Sequence, residues 1–179
     1  LNRTTSYTYD LAGRQISMTD GNGKTTYFTY DAAGQLTLID YPDPDDDVAF
    51  SYDLNGQRIG MTDGLGDTTW TYDPLNRPLS VSDPNGSAVG YGYDPVGNRT
   101  QLTYPNNAVV AYTYDDANQL VSVTDWDNQV TSYGYDDAGR LTSVSRPNGV
   151  DSEYQYDLSG RVTGVNHDSG TSSLASYAY

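Results

Sequence analysis

The chain has 179 residues and a net charge of −15, from one Lys, eight Arg and 24 acidic residues, of which Glu153 is the only Glu. That balance excludes nucleic acid and anionic membrane surfaces as partners, because both need basic patches to meet phosphate. The absence of Cys excludes disulfides and thiolate metal sites. Only 36% of the residues are hydrophobic and 18 of those are Tyr, too few aliphatics for a thick two-layer core. No apolar run approaches the ~20 residues of a membrane-spanning helix, so no membrane insertion is expected.

In chain order, the first predicted element is an aromatic strand, Thr5-Ser6-Tyr7-Thr8-Tyr9, whose apolar residues alternate. Asp10-Leu11-Ala12-Gly13 follows as a sharp corner, since an Asp side chain can accept backbone N–H groups further along and Gly tolerates positive φ. Ile16 and Met18 then mark a second strand, and Asn22-Gly23 a hairpin turn. A third strand ends in Phe28-Thr29-Tyr30-Asp31 and Gly34, where the unit begins again. An aromatic residue, one spacer and Tyr-Asp recur as Tyr52-Asp53, Tyr72-Asp73, Tyr93-Asp94, Tyr114-Asp115, Tyr135-Asp136 and Tyr156-Asp157, and Tyr177-Ala178-Tyr179 opens a ninth copy. The Asp-to-Asp spacings are 21, 22, 20, 21, 21, 21 and 21 residues. So strict a period means one small unit laid side by side, each burying its surface only against its neighbours.

Positions are numbered from the Tyr-Asp aspartate as zero. Position +3 is Gly13, Gly34, Gly56, Asn76, Gly97, Asn118, Gly139 and Gly160, the two residue types that best tolerate a left-handed backbone. Position +8 is aliphatic or Met in every copy, from Met18 to Val165, and +6 is mostly β-branched, so this segment reads as a period-two strand. At +12 and +13, three copies read Asn-Gly: Asn22-Gly23, Asn85-Gly86 and Asn148-Gly149. The expected fold class is therefore all-β: tandem repeats in a continuous antiparallel β-meander, forming a single twisted and spiralling sheet whose −3 and −1 aromatics share a face with the +8 aliphatics. Residues 1–179 are expected to be one array of eight repeats and the start of a ninth, cut from a longer chain.

The copy from Tyr135 to Gly149, Tyr-Asp-Asp-Ala-Gly-Arg-Leu-Thr-Ser-Val-Ser-Arg-Pro-Asn-Gly, resembles the YD repeat of the Rhs family, departing from it at Arg146. The resemblance covers essentially the whole chain. It implies the β-sheet wall of a hollow shell of the kind formed by bacterial Rhs and toxin-complex proteins and by teneurins, which in the bacterial members encloses a toxic C-terminal polypeptide. The third gap departs from the pattern, carrying Asp43-Pro44-Asp45-Asp46-Asp47 in place of a Gly turn. At +4 the pattern's Arg is Gln35, Gln57, Asn98 or Gln119 in half the copies. No core cap, autoproteolysis segment or toxin domain of the family is found, and Asp94-Pro95-Val96-Gly97 sits in repeat phase and reads as a corner. Eight repeats are too few to close such a shell.

Candidate chemistry is sparse. His167 is the only histidine and reads as a turn-flanking substitution, so no Ser-His-Asp constellation is expected, and neither is any cofactor. Asp43, Asp45, Asp46 and Asp47 offer hard oxygen ligands for calcium, though without EF-hand spacing. Arg14, Arg77, Arg140 and Arg161 are expected to bridge repeat aspartates or lie over rings. Trp126, Tyr27, Tyr41 and Tyr104 lie outside the aromatic ladder and are the candidates for exposed contact, glycans included. Three readings stand: a non-enzymatic wall enclosing a toxin, an extracellular adhesion or fibre-forming protein, and a glycan-binding module. Each is secreted or at the cell surface, and each expects further repeats or neighbouring subunits as partners.

Overall fold

The computed structural model describes residues 4–170 and 172–179. They form seventeen β-strands joined antiparallel, with one 3-10 turn at Pro44–Asp46, so the expected all-β class holds. The chain divides into two compact units, residues 1–89 and 90–179. The first holds β1 (Ser6–Tyr9), β2 (Gln15–Thr19), β3 (Thr25–Tyr30), β4 (Leu36–Asp40), β5 (Val48–Tyr52), β6 (Arg58–Asp63), β7 (Gly66–Tyr72) and β8 (Pro78–Ser82). The division falls within β9 (Ala88–Tyr93). The second unit continues with β10 (Arg99–Thr103), β11 (Val109–Tyr114), β12 (Leu120–Thr124), β13 (Val130–Tyr135), β14 (Leu141–Ser145), β15 (Val150–Tyr156), β16 (Val162–Ser169) and β17 (Ser172–Ala178). In each unit successive strands pair in chain order, which makes each a meander.

The pairing register explains which positions must be apolar. Each −3 aromatic lies opposite the +8 residue of its own repeat, as in Phe28 with Ile39 and Tyr133 with Val144. On its other side +8 faces −5 of the next repeat, as in Leu102 with Val110 and Val144 with Ser152. Directly opposed residues share a face, so −3, +8 and −5 form one row per repeat, and there the thin core sits. Val110 and Val144 are the buried hydrophobics among the described residues, Ser152 is buried opposite Val144, and in the first unit Thr26 is buried opposite Met18. The aromatics are half-buried in the interior repeats, with Tyr91, Tyr112 and Tyr133 as examples. They form a partly covered ladder, less enclosed than a packed core.

One feature departs from the simple alternation. The pairing jumps from −2 opposite +7 to −1 opposite +5 in all eight repeats, for example Thr113 with Ser122 and then Tyr114 with Leu120. The residue at +6 is an extra one, a β-bulge next to the corner. Such a bulge accompanies a turn closed by a left-handed residue and sharpens the local twist. The +6 and +8 positions therefore do not lie on one period-two face, and Ile16, Ile59 and Leu79 at +6 are exposed.

The second connection also differs from a two-residue Asn-Gly hairpin. In the first repeat the turn is opened by Asp20 at +10, whose N–H donates to the Lys24 carbonyl at 2.8 Å, and Gly23 closes it with φ +83°. Asn22-Gly23 supplies only its last two residues, because the Asp20 carboxylate captures the N–H groups of Asn22 and Lys24. A true two-residue hairpin occurs at Gly64-Leu65, between paired Asp63 and Gly66.

Candidate functional site

Three constructions could carry function: the rail of Asp corners, the tyrosine rungs behind it, and an aromatic cleft on the opposite connections of the second unit.

At the corners, one carboxylate oxygen of Asp10 accepts the N–H groups of Ala12 and Arg14, both at 2.9 Å. The main chain closes the same loop, with Gly13 N–H donating to the Asp10 carbonyl at 3.0 Å. The arrangement recurs at Asp31, Asp53, Asp115, Asp136 and Asp157, whose Oδ1 atoms accept the +2 and +4 N–H groups. Asp73 does the same with Leu75 and Arg77, and Asp94 with Val96, Gly97 and Asn98. The closing residue is left-handed in every corner, from Gly13 at φ +79° to Asn118 at +62°, including Gly34, Gly56, Gly97, Gly139 and Gly160. Where +4 is Arg, its guanidinium binds the second carboxylate oxygen, with Arg140 Nε donating to Asp136 at 2.7 Å. At Asp10 and Asp136 these hydrogen bonds hold the carboxyl group below its ordinary range: the Arg14 N–H dominates at Asp10, and the Arg140 guanidinium at Asp136.

Within each unit, +4 side chains also tie one corner to the next. Gln35, Gln57 and Gln119 donate to the carbonyls of Gly56, Asn76 and Gly139, at 3.1, 3.2 and 3.0 Å. Asn98 reaches the Asn118 side chain, and Arg140 the Asp157 carbonyl. Arg14 and Arg140 lie over the rings of Tyr30 and Tyr156, 4.8 and 4.7 Å from the centroids. The split between Arg and Gln at +4 is thus one function met in two ways: both types join neighbouring repeats.

Behind the rail, the −1 tyrosine reaches back one repeat. The hydroxyls of Tyr30, Tyr52, Tyr72, Tyr114, Tyr135 and Tyr156 donate to the +5 carbonyls of Gln15, Leu36, Arg58, Arg99, Leu120 and Leu141, at 2.8–3.0 Å. The +5 carbonyl sits at the bulge, where the ladder is locally disrupted, and the phenol satisfies it. Tyr9, the first of the series, is exposed. Sequence reasoning took −1 and −3 as equivalent rings and missed this role. The signal was present: −1 is Tyr in every copy, whereas −3 is Tyr, Phe28, Phe50 or Trp70.

The aromatics outside the ladder separate. Tyr27 on β3 is exposed, and Tyr41 donates its N–H to Asp47 at the start of the acidic loop. Tyr104 and Trp126 come together on adjacent connections of the second unit, with ring centroids 5.7 Å apart and planes at 86°. With Pro105, Asn106 and Ala108 they line a cleft of about 390 Å³. A second cleft of about 330 Å³ includes Trp126, Thr124, Asp125 and Asn128.

The calcium candidate is not assembled. Among the described residues no three His, Asp or Glu side chains converge as a metal site. In the acidic loop Asp43 caps the 3-10 turn by accepting the Asp45 N–H, and Asp47 accepts the Tyr41 N–H, so the carboxylates are drawn to different backbone groups. His167 does not flank a turn; it lies within β16 opposite Ser152, because that strand runs on to Ser169. Ser152 Oγ lies 2.8 Å from His167 Nδ1 and accepts from Arg146 at 2.7 Å. Ser152 is fully buried, which leaves its hydroxyl no path to a substrate. No described helix is long and apolar enough to cross a membrane.

The model of the teneurin YD-shell family matches residues 2–179. No curated protein matches the chain in sequence. Among solved structures, the crystal structure of TcdB2-TccC3-TEV is similar at 17% identity with a TM-score of 0.72, covering 98% of this chain and 11% of that one. The structure of the Photorhabdus luminescens Tc holotoxin pore, with a TccC3 mutation, is similar at 19% identity and TM-score 0.62, covering 94% and 12%. Crystalline TcdB2-TccC3 gives 19% identity and 0.62, covering 94% and 13%. At these identities the likeness is one of fold, and the chain spans about an eighth or less of each structure's length.

Proposed function

The chain belongs to the teneurin YD-shell family, and from that premise we propose that it is a non-catalytic stretch of shell wall that helps to enclose and deliver a toxic polypeptide outside the producing cell. Within this reading the corner aspartates and −1 tyrosines are structural. Their polar atoms are turned inward to backbone groups of their own and neighbouring repeats, which leaves the rail little capacity for chemistry on a substrate.

The observation that carries the proposal is how repeats are joined: within each unit the −1 tyrosines donate to +5 carbonyls of the preceding repeat and the +4 side chains reach the following corner, so these polar groups serve the wall and not an open site. The same register recurs from copy to copy, and an array of this kind is extended by adding repeats.

Electron cryomicroscopy of the natural full-length protein tests the proposal. The expected image is a closed shell in which both outer strands continue into further repeats and density fills the interior. An open strip, or a filament in which β17 of one molecule pairs with β1 of the next, would replace the shell with an adhesion or fibre role.

A further inference from the structure

We propose that the aromatic corner made by Tyr104 and Trp126 is a binding site for a neutral saccharide, a role separate from wall building and independent of whether the wall encloses cargo.

Positions +10 and +11 are Asp20-Gly21, Asp63-Gly64 and Asp83-Pro84 in other copies, and those turns fold without rings. At Asp20, Asp83 and Asp125 the +10 carboxylate closes the turn by accepting two backbone N–H groups. The fifth repeat gives this up. Tyr104 keeps only the main-chain bonds, its N–H to the Ala108 carbonyl and its carbonyl from the Asn107 N–H. Tyr41, Arg146 and His167 also stand in place of Asp at +10, and what sets the fifth repeat apart is the indole that meets its ring from the next connection. The phenol that replaces the carboxylate stands edge to face with Trp126, placed one position later in the next repeat.

Trp126 remains 55% exposed in this contact, so the pairing does not serve to bury it. One cleft at the indole is walled by Tyr104, Pro105 and Ala108, and the other brings Asp125, Thr124 and Asn128 to it. Clefts of this size, with aromatic walls and a few polar groups, hold small ligands. A pyranose has the matching character, an apolar C–H face for the indole and hydroxyls for the carboxylate and amides. The Oδ1 atom of Asp125 accepts two backbone N–H groups, and no bond is formed by Oδ2 among the described residues, which leaves it to accept from a sugar hydroxyl. The carboxylate at the cleft and the net charge of −15 disfavour anionic sugars.

The experiment is a screen of the chain against an array of neutral, anionic and cationic glycans. The best neutral oligosaccharide and tetramethylammonium chloride are then titrated while the indole N–H resonances of Trp126 and Trp70 are followed. The proposal expects saturable binding of a neutral saccharide that moves the Trp126 signal and leaves Trp70 in place. Trp126→Ala should weaken binding by about tenfold or more. Tyr104→Asp installs the residue other repeats use and keeps the turn closed, so it should abolish binding while leaving thermal unfolding unchanged or raised. Saturation by tetramethylammonium but by no saccharide would overturn the proposal in favour of a cation site. No response of Trp126 to any glycan, or unchanged saccharide affinity in Tyr104→Asp, would overturn it outright.

Discussion

The tyrosine of each Tyr-Asp pair is a hydrogen-bond donor as much as a ring, and this separates it from the aromatic two residues earlier. Tyr135→Phe keeps the ring and removes the bond to the Leu120 carbonyl, so it should cost about 1 kcal/mol. Tyr133→Phe removes no hydroxyl bond of this kind and should be near neutral; urea denaturation of the two variants side by side checks the contrast. The aspartates give a pH dependence. Their folded pKa values at Asp10, Asp73, Asp136 and Asp157 lie below the ordinary 3.8, through N–H and guanidinium hydrogen bonds to the carboxylate. The stability they add is complete at neutral pH, begins to fall as pH drops below about 4, and is gone once pH passes the lower folded values. Thermal unfolding across that range should show the loss. Asp136→Asn should be less stable at neutral pH and have a shallower acid slope than the parent chain.

Two kinds of connection build each repeat, and the corner depends on a left-handed residue. Gly139 has φ +77°, and a Cβ there would also stand 3.1 Å from the Gln119 amide. Gly139→Ala should therefore cost roughly 1–2 kcal/mol for the backbone alone, measurable as a drop in denaturation midpoint. The corners were legible in the sequence because Asp at zero and Gly or Asn at +3 never vary between copies. The turn at +10 was harder to read: its opening residue is Asp20, Tyr104 or Arg146 according to the copy, so the Asn-Gly pair drew attention to the wrong end of the turn. The bulge was invisible to period counting, since one extra residue at +6 leaves hydrophobic residues at +6 and +8 that look like an alternation. Only the pairing of −1 with +5 reveals it. The cleft was half legible. Tyr104 and Trp126 stood out as rings outside the ladder, but a separation of 22 residues becomes a contact only because repeats of 21 place equivalent turns side by side.

At the level of the molecule, stability is distributed. Each unit has a thin row of apolar contacts per repeat, tied to its neighbours by tyrosine rungs and +4 bridges, and among the described residues no deep core on which everything depends. A wall assembled this way can be lengthened by repeats without redesign, which suits a container better than a catalyst. The central claim, that the repeats wall in another polypeptide, is tested most directly by brief proteolysis of the natural full-length protein, with fragments identified by mass spectrometry. The account predicts that the polypeptide following the repeat array stays intact while the wall is folded, and is cut only after acid has unfolded the repeats. Immediate cleavage of that polypeptide beside an intact repeat array, or a natural chain in which none follows the array, would contradict it.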